Sequence, residues 1–355
     1  MISQRGWSWL RRAFLPVSTC LLVIAASSVP LPAIVERPGS AAGIPACVTI
    51  DGRPAGAVNG DFMFTTVAQR DATVVGLLLA AVLADRQVIP SRALRGDVRR
   101  DEYVARQRDV FLGSTERAAI VALQAAGQPV EFRGTGAAVV EVVAGSPAEG
   151  VLRAGDVITQ VNGSEVDTDE ALIAAIDGTG PLRLRILRDG AVLTETVRPQ
   201  VQDIDGRRRP VIGVRITTHE PQVSMPLSVE VASGDVGGPS AGLMIGLAIY
   251  DIVDDADLAA GRTIAGTGTL GIDGAVGPIE NIELKVPAAV RQGAQVFLAP
   301  AAQVAQARAA VPDGAGMTVI AVDDFDDARE ALARAPVAGT SRVASPSTCA
   351  FAAGV

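Results

Sequence analysis

The stretch "GTGAAVVEVVAGSPAEGVLRAGDVITQVNGSEV", residues 134–166, has the most regular pattern in this chain. Short apolar runs are separated by turns that contain glycine, proline and asparagine, which is typical of short strands. The helical run "DEALIAAI" follows, and "LRLRILRDG" and "VLTETVRP" then predict a hairpin. The pattern predicts a small strand-rich domain over residues 130–200.

Three motifs in this domain occur in a specific order, namely "GSPA", then "GD" separated by one residue from an isoleucine, then "VNG". Over about 70 residues this order resembles a bacterial PDZ domain. The resemblance implies that Gly134, Thr135, Gly136 and Ala137 form the loop whose backbone amides receive a peptide carboxylate. The strand from Ala138 would then pair with the peptide by β-augmentation. The alternative is a packing module whose groove is blocked by a neighbouring domain.

A second stretch, "GDVGGPSAGL" at residues 234–243, places one serine in a glycine-rich turn before an apolar helical run. A serine hydroxyl is a weak nucleophile unless a base lies within hydrogen-bonding reach. The only histidine of the chain, His219, stands beside Glu220 and Pro221 in a segment typical of a solvated loop. A triad built on His219 is therefore the less favoured interpretation.

The chain contains a single lysine, Lys285, among 31 basic residues. Arginine cannot act as a base because guanidinium keeps its proton, so the one retained lysine indicates a chemical role. Its sequence neighbours are mostly apolar, and burial among them would lower the pKa of the amine toward neutrality. Glu280 and Glu283 would oppose this effect unless they point away. The alternative is a surface lysine retained by chance.

The segments "GDVGGPSAGLMIGLAIYD" and "GTGTLGIDGAVGPIENIELK" resemble the proteolytic domain of the Lon proteases, which use a Ser-Lys dyad. The likeness covers about 125 residues. It implies that Ser240 is the nucleophile, Lys285 the general base and Thr267 a supporting catalytic residue. It also implies self-association, since Lon proteolytic domains form rings, often of six subunits.

The sequence departs from this family at two places. Glu280 and Asn281 occupy positions where the family commonly has Gly-Gly, which affects the loop before Lys285. Many Lon enzymes carry an acidic residue three positions before the serine, where this chain has Gly237. The nearest acid is Asp235.

The N-terminal segment Ala13–Val35 has 23 positions without a charge, and Arg5, Arg11 and Arg12 precede it. This length can cross a bilayer as a helix with the arginines on the cytoplasmic side. A removed signal peptide is the alternative. Either interpretation places the rest of the chain outside the cytoplasm, where Cys47 and Cys349 could form one intrachain disulfide.

Together these features predict a multidomain α/β (α+β) protein with an N-terminal transmembrane helix, a PDZ domain and a Lon-type proteolytic domain. The expected divisions are a cytoplasmic stub and signal anchor at 1–40, a strand and helix region packing with the protease domain at 41–129, the PDZ domain at 130–200, the Lon-like domain at 201–336 and a tail at 337–355.

Composition excludes several other classes of function. The formal net charge of -8 and the lack of a basic stripe argue against nucleic acid. Lys285 is not in a phosphate-binding loop, so we expect no ATP site, and one histidine leaves few ligands for a metal cofactor. The sequence predicts a single-pass cell-membrane serine endopeptidase that cleaves flexible protein segments outside the cytoplasm without ATP or another cofactor. The alternative is a catalytically inactive, membrane-tethered PDZ scaffold.

Overall fold

The computed structural model describes residues 30–54, 58–83, 85–204, 207–232, 234, 236–335 and 349. Its strands are β1 (Ala33–Gly43), β2 (Val48–Ile50), β3 (Arg53–Pro54), β4 (Asp61–Asp71), β5 (Gln87–Pro90), β6 (Glu131–Arg133), β7 (Ala137–Val142), β8 (Val157–Val161), β9 (Ser164–Glu165), β10 (Leu182–Arg188), β11 (Ala191–Val197), β12 (Gln200–Ile204), β13 (Arg207–Val211), β14 (Val214–Thr218), β15 (Gln222–Ser224), β16 (Val229–Val231), β17 (Thr263–Gly266), β18 (Thr269–Leu270), β19 (Val276–Gly277), β20 (Val296–Pro300) and β21 (Thr318–Val322). The α-helices are α1 (Val74–Val82), α2 (Ser91–Arg95), α3 (Arg100–Ala125), α4 (Asp169–Ala175), α5 (Gly242–Asp254), α6 (Ile282–Arg291), α7 (Val304–Ala309) and α8 (Phe325–Arg334), and 3₁₀ turns cover Pro45–Cys47 and Ala301–Gln303.

The larger domain is built on a mixed sheet with the order β21-β20-β17-β4-β1-β5. Strands β21, β20, β17 and β4 are parallel to one another, whereas β1 pairs antiparallel with both β4 and β5. The N-terminal strands therefore complete the same sheet as the strands near the C-terminus. Serine and lysine candidates more than 40 residues apart are brought to this one scaffold.

Alternation along the strands gives this sheet two apolar faces. Phe62, Phe64 and Leu298 face a core shared with helices α3, α5 and α8. Met63 and Phe297 point the other way, into a second core with α6 and α7. The result is a three-layer α/β arrangement in which α5 and α6 lie on opposite faces of the sheet.

The smaller domain has the sheet order β11-β10-β8-β7-β14, with β9 paired to β8 and its own apolar core. Strand β14 belongs to this sheet although it lies beyond residue 200, the boundary expected from the sequence. The short strands β6 and β15 pair with each other where the chain enters and leaves the smaller domain.

The N-terminal transmembrane helix expected from the sequence is wrong. Among the described residues, no helix has both the length and the apolar character needed to span a bilayer. The end of the apolar run, residues 33–35, belongs to β1, and Leu31 donates its backbone N–H to Ala72 in the globular fold. Ile34 and Val35 are buried, so these residues serve the protein core. The rest of the run and Cys20 lie outside the described residues.

Helix α1 is apolar in sequence but is not buried. None of its residues falls in the core, and Leu78 and Val82 are 64% and 82% exposed. Helix α1 contacts β1 and β5 at the edge of the large sheet.

Cys47 and Cys349 form a disulfide with a Cα–Cα distance of 4.6 Å. The sequence left this pairing open. The bond ties residue 349 to the core through the turn that precedes β2. Except for Cys349, the tail expected at 337–355 lies outside the described residues.

Asp61, at the start of β4, is fully buried, and neither carboxylate oxygen has a hydrogen-bond partner among the described residues. Burial raises the pKa of Asp61 from 3.8 to about 6. Because the pKa is higher in the folded state, its contribution to stability is complete below pH 3.8 and is lost as the pH rises through 6.

We therefore expect wild-type protein to lose about 2 kcal/mol more unfolding free energy than Asp61→Asn between mildly acidic and neutral pH. Urea titration of both proteins at each pH measures this difference. Asp251, whose pKa burial also raises to about 6, is present in both proteins and cancels. Parallel pH profiles for the two proteins would contradict an unpaired buried carboxylate at position 61.

Candidate active site

Three candidate residues meet in one buried cluster. The Nζ atom of Lys285, on α6, lies 2.6 Å from Oγ of Ser240, which precedes α5. The same Nζ atom lies 3.1 Å from Oγ1 of Thr267, which follows β17. Thr267 is fully buried, and Lys285 is 4% exposed. The structure thus brings together all three residues that the Lon resemblance singled out.

Thr267 controls the direction of the hydrogen bonds in this cluster. Its hydroxyl donates to the backbone carbonyl of Ser240 at 3.0 Å, and the backbone N–H of Gly268 donates to the same carbonyl. Since a hydroxyl has one hydrogen, Thr267 can only accept from the amine of Lys285. A neutral amine then keeps its lone pair for the hydroxyl of Ser240.

The glycine-rich turn before Ser240 is held against helix α3. Gly238 donates its N–H to the carbonyl of Gln107, and Ser114 donates its hydroxyl to the carbonyl of Pro239. Gly238 has φ +86°, and a Cβ on Gly237 would lie 2.8 Å from Cβ of Gln107. The glycines therefore allow the turn to approach α3 closely enough to fix Ser240.

Burial lowers the pKa of Lys285 from 10.5 to about 8, and the negative charge of Glu280 partly opposes this shift. Glu283, the other nearby carboxylate, accepts a hydrogen bond from Gln87 on β5. A pKa of about 8 leaves roughly a tenth of the amine neutral at pH 7, enough to act as a base.

A cleft of about 1020 Å³ opens onto Ser240 and Lys285. Its walls are the second half of β4, helix α3, the glycine-rich turn and the Pro278–Asn281 turn. Strand β17 pairs with β4 only from Asp61 to Phe64. Among the described strands, none covers that edge of β4 from Thr65 to Asp71, so an open strand edge runs along the cleft.

The loop Gly134–Ala137 cannot receive a peptide carboxylate as the sequence predicted. Thr135 donates its N–H to the carbonyl of His219, and Gly136 donates to the carbonyl of Asp167. Strand β7 is also occupied, because β14 pairs along its whole length and β8 pairs with Ala137 and Ala138. The amides and edges that the prediction required are already used within the domain.

Strand β14 is the edge strand of the smaller domain and contacts helix α4. Thr218 joins the two elements, since its hydroxyl accepts from the N–H of Asp169 and donates to the Asp169 carboxylate. Gly213, just before β14, has φ +78°, and its carbonyl accepts from Val143 and Ser146. The turn leading into β14 is thus fixed while one edge of the strand stays open.

The remaining sequence candidates lie elsewhere. His219 contacts the Thr135 hydroxyl in the smaller domain at 2.7 Å and is not part of the Ser240 cluster. Asp235 lies outside the described residues. Within the described part of the chain, no group of three or more His, Cys, Asp or Glu residues could hold a metal ion.

Sequence reasoning missed the β14 edge and the open edge of β4. A glycine between apolar residues directly before a strand, as in "PVIGVRI", is a signal that could have indicated the first. The open edge of β4 depends on where β17 ends, which no local sequence pattern indicates.

Comparison with known proteins supports the smaller domain alone. A family model described as PDZ domain matches residues 139–188. Among solved structures, the chain is similar to PDZ domains of SdrC-like proteins from Listeria monocytogenes and Listeria innocua, both at 24% identity. They cover 23% and 24% of this chain, and 87% and 97% of their own lengths, with TM-scores of 0.21 and 0.22. No curated protein matches. The chain contains a PDZ domain.

Proposed function

We propose that this protein is a serine endopeptidase in which Ser240 attacks a peptide carbonyl and Lys285 is the general base. The contact of 2.6 Å between Nζ of Lys285 and Oγ of Ser240 carries the proposal. The lysine is the only one in the chain and its pKa is lowered by burial, so the base is chemically suited to neutral pH.

The reaction needs only residues of this cluster and water. Oγ of Ser240 forms a bond to the carbonyl carbon while its proton moves to Nζ of Lys285. The protonated amine then gives that proton to the leaving nitrogen, the C–N bond breaks, and an ester to Ser240 remains. Water attacks this ester with Lys285 again taking the proton, which releases the acid and restores Ser240.

The negative oxygen of the tetrahedral intermediate lies near the start of helix α5. Ser240 is two residues before this 13-residue helix, whose dipole favours negative charge at its N-terminal end. Thr267 and Gly268 each donate a hydrogen bond to the backbone carbonyl of Ser240, which fixes the orientation of this residue.

The substrate is an extended segment of polypeptide. It adds as a strand to the open edge of β4 between Thr65 and Asp71, where main-chain hydrogen bonds supply affinity without a fixed sequence. A folded domain cannot present such a strand, so the enzyme acts on flexible or unfolded segments without ATP.

The PDZ domain recruits the substrate through a second strand addition. A peptide C-terminus pairs with the open edge of β14, next to α4, and its carboxylate reaches the turn at Gly213. Half-buried apolar residues of these two elements favour an apolar terminal side chain: Val214, Ile216, Ala171 and Ala175.

Replacing Ile216 by lysine should weaken peptide binding at least about tenfold, because a charged side chain replaces apolar contact in the groove. Fluorescence anisotropy of a labelled peptide with an apolar, free C-terminus measures this. Val140→Lys, on the paired strand β7 at a 55% exposed position, is the matched control and should bind normally. Equal loss in both variants, with both still folded by circular dichroism, would contradict binding at β14.

The protein works outside the cytoplasm. The disulfide between Cys47 and Cys349 requires an oxidising compartment to persist. Fractionation of cells that produce the full chain, with thiol alkylation before lysis, should recover the two cysteines unmodified.

The experiment that tests the enzyme proposal uses purified full-length chain and a reduced, carboxymethylated protein that cannot fold. Mass spectrometry should find internal cleavage that persists with a metal chelator and without ATP, and acid quenching should trap an acyl group on Ser240. Peptide binding without any cleavage would leave the PDZ domain as a binding module. Cleavage abolished by the chelator would assign it to another enzyme.

A further inference from the structure

Glu36, in strand β1, is a buried carboxylate with no ion-pair partner among the described residues. It is 1% exposed. Its Oε1 accepts from the side-chain amide of Gln69 at 2.7 Å, and its Oε2 accepts from the amide of Asn281 at 3.0 Å. Burial of a carboxylate is costly, so two amide donors with no cation indicate a function for these contacts.

Asn281 is the residue directly before helix α6, and it has a left-handed backbone with φ 58° and ψ 42°. Asparagine tolerates this conformation better than other residues with a side chain. Its side chain makes no capping bond to the helix and instead reaches Glu36. Its carbonyl accepts the first bond of the helix, from Leu284. Asn281 therefore supplies the backbone conformation of a glycine together with an anchor that a glycine lacks.

The same turn is fixed from its other side by Gln303. The amide side chain of Gln303 bonds both the N–H and the carbonyl of Ile279, at 2.8 and 2.7 Å. Lys285 is four residues after Asn281 and lies on the same helical face. A rotation or shift of α6 at Asn281 would move Nζ of Lys285 relative to Ser240.

We propose that Glu36 is a positioning residue for Lys285, acting through Asn281 to set the start and rotation of helix α6. The proposal rests on the proposed function, in which Lys285 is the base. Glu36 lies 204 positions before Ser240 in the sequence and touches neither reacting group. It therefore acts on the reaction by setting the position of Lys285.

An electrostatic effect on the amine of Lys285 is a different mechanism from positioning through Asn281, and the structure distinguishes the two. Glu280 is the carboxylate whose charge raises the pKa of Lys285, and Glu36 is not among the groups that shift this pKa. Of the other nearby groups, Glu283 accepts a hydrogen bond from Gln87 on β5. Burial raises the pKa of Tyr103 on α3, and the negative charges of Glu280 and Glu36 raise it further. Removing the charge of Glu36 alone should therefore leave Lys285 unaffected.

Four single variants and one double variant of the full chain test the proposal. Glu36→Ala removes the anchor, and Asn281→Gly keeps the left-handed backbone without the anchoring side chain. Glu36→Gln keeps hydrogen bonds of the same shape because the amide of Asn281 can turn over. Arg291→Ala is the matched control, since it removes a different contact between helix α6 and strand β1, from Arg291 at the end of the helix to the carbonyl of Gly39.

The first readout is steady-state cleavage of an unfolded protein. Glu36→Ala and Asn281→Gly should each lower kcat about 100-fold with KM unchanged, as expected for a misplaced catalytic group. The double variant Glu36→Ala with Asn281→Gly should lose no more activity than either of these single variants. Glu36→Gln and Arg291→Ala should keep most of the activity.

The second readout needs no turnover. With ¹³C-labelled lysine, the chain gives a single lysine side-chain NMR signal because Lys285 is its only lysine. In Glu36→Ala the amine should leave its dry position, so its titration midpoint should rise from about 8 toward 10.5. In Glu36→Gln and Arg291→Ala the midpoint should stay near that of wild type.

Equal midpoints and equal kcat in Glu36→Ala and wild type would overturn the proposal. So would equal changes in Glu36→Ala and Arg291→Ala, because the loss of any contact between α6 and β1 would then have the same effect. If wild type cleaves nothing but Glu36→Ala still shifts the lysine signal, the enzyme function fails and the positioning role of Glu36 stands.

Discussion

Replacement of Lys285 by arginine should lower kcat at least about 1000-fold, the range expected for loss of a general base. Guanidinium keeps its proton at any accessible pH, so it cannot take the proton of Ser240. The variant keeps a positive charge and a long side chain, which separates loss of the base from loss of charge. Cleavage of an unfolded protein, followed by fluorescence, measures the effect, and raising the pH should not restore activity.

Arg291→Lys is the matched control for this substitution. Arg291 is on the same helix α6, is exposed, and makes one contact with the carbonyl of Gly39. Its exchange tests whether an arginine-to-lysine change in this helix is harmful in itself, and activity should be retained. If Lys285→Arg kept more than about a tenth of wild-type kcat, a different group would have to be the base.

Ser240→Ala should lower kcat at least about 10,000-fold because the acyl-enzyme cannot form. The Ser240 side chain is partly exposed to the cleft, and alanine fits the space without new contacts, so substrate binding should be unchanged. Binding of a labelled unfolded protein to the variant, measured beside its turnover, distinguishes lost chemistry from lost recognition.

The double variant Ser240→Ala with Lys285→Arg should be no slower than Ser240→Ala alone. Residues that act as a unit have strongly non-additive effects, because removing either one removes the same reaction path. If the loss of kcat in the double variant equalled the product of the two single losses, the two residues would act in separate processes. That result would conflict with their contact of 2.6 Å.

The cluster around Ser240 could be predicted from the sequence because its signals are local. The serine turn and the lysine segment each fall within one short stretch, and the single lysine narrows the choice of base. The secondary structure around them follows the same stretches, since the apolar run after the serine turn forms helix α5 at 242–254. Whether these residues meet, however, depends on the parallel pairing of β17 with β4 and β20.

The peptide groove of the PDZ domain could not be predicted in the same way. Residues 134–166 determine which segments are strands, but the open edge is set by β14, which joins the sheet from outside that stretch. Pairing between distant segments decided which loop amides remained available. The sequence pattern of Gly134–Ala137 does not contain that information.

Two further features depend on long-range contacts. The apolar run that ends at Val35 has the composition of a membrane segment, yet its last residues pack as a strand between β4 and β5. Glu36 and Asn281 are 245 residues apart, so neither position alone indicates their contact. The role of Asn281, which departs from the Lon pattern, can be interpreted only when the positions of Asn281 and Glu36 in the fold are known.

A titration of the single ¹³C-labelled lysine in wild-type protein tests the central claim most directly. The claim is that Lys285 is held against Ser240 in a dry site, where burial lowers the pKa of its amine from 10.5 to about 8. We expect one signal with a midpoint near pH 8, and a lower midpoint in Glu280→Gln, because the charge of Glu280 raises the pKa of Lys285. A midpoint at 10.5 or above, the value of an unperturbed lysine, would contradict it.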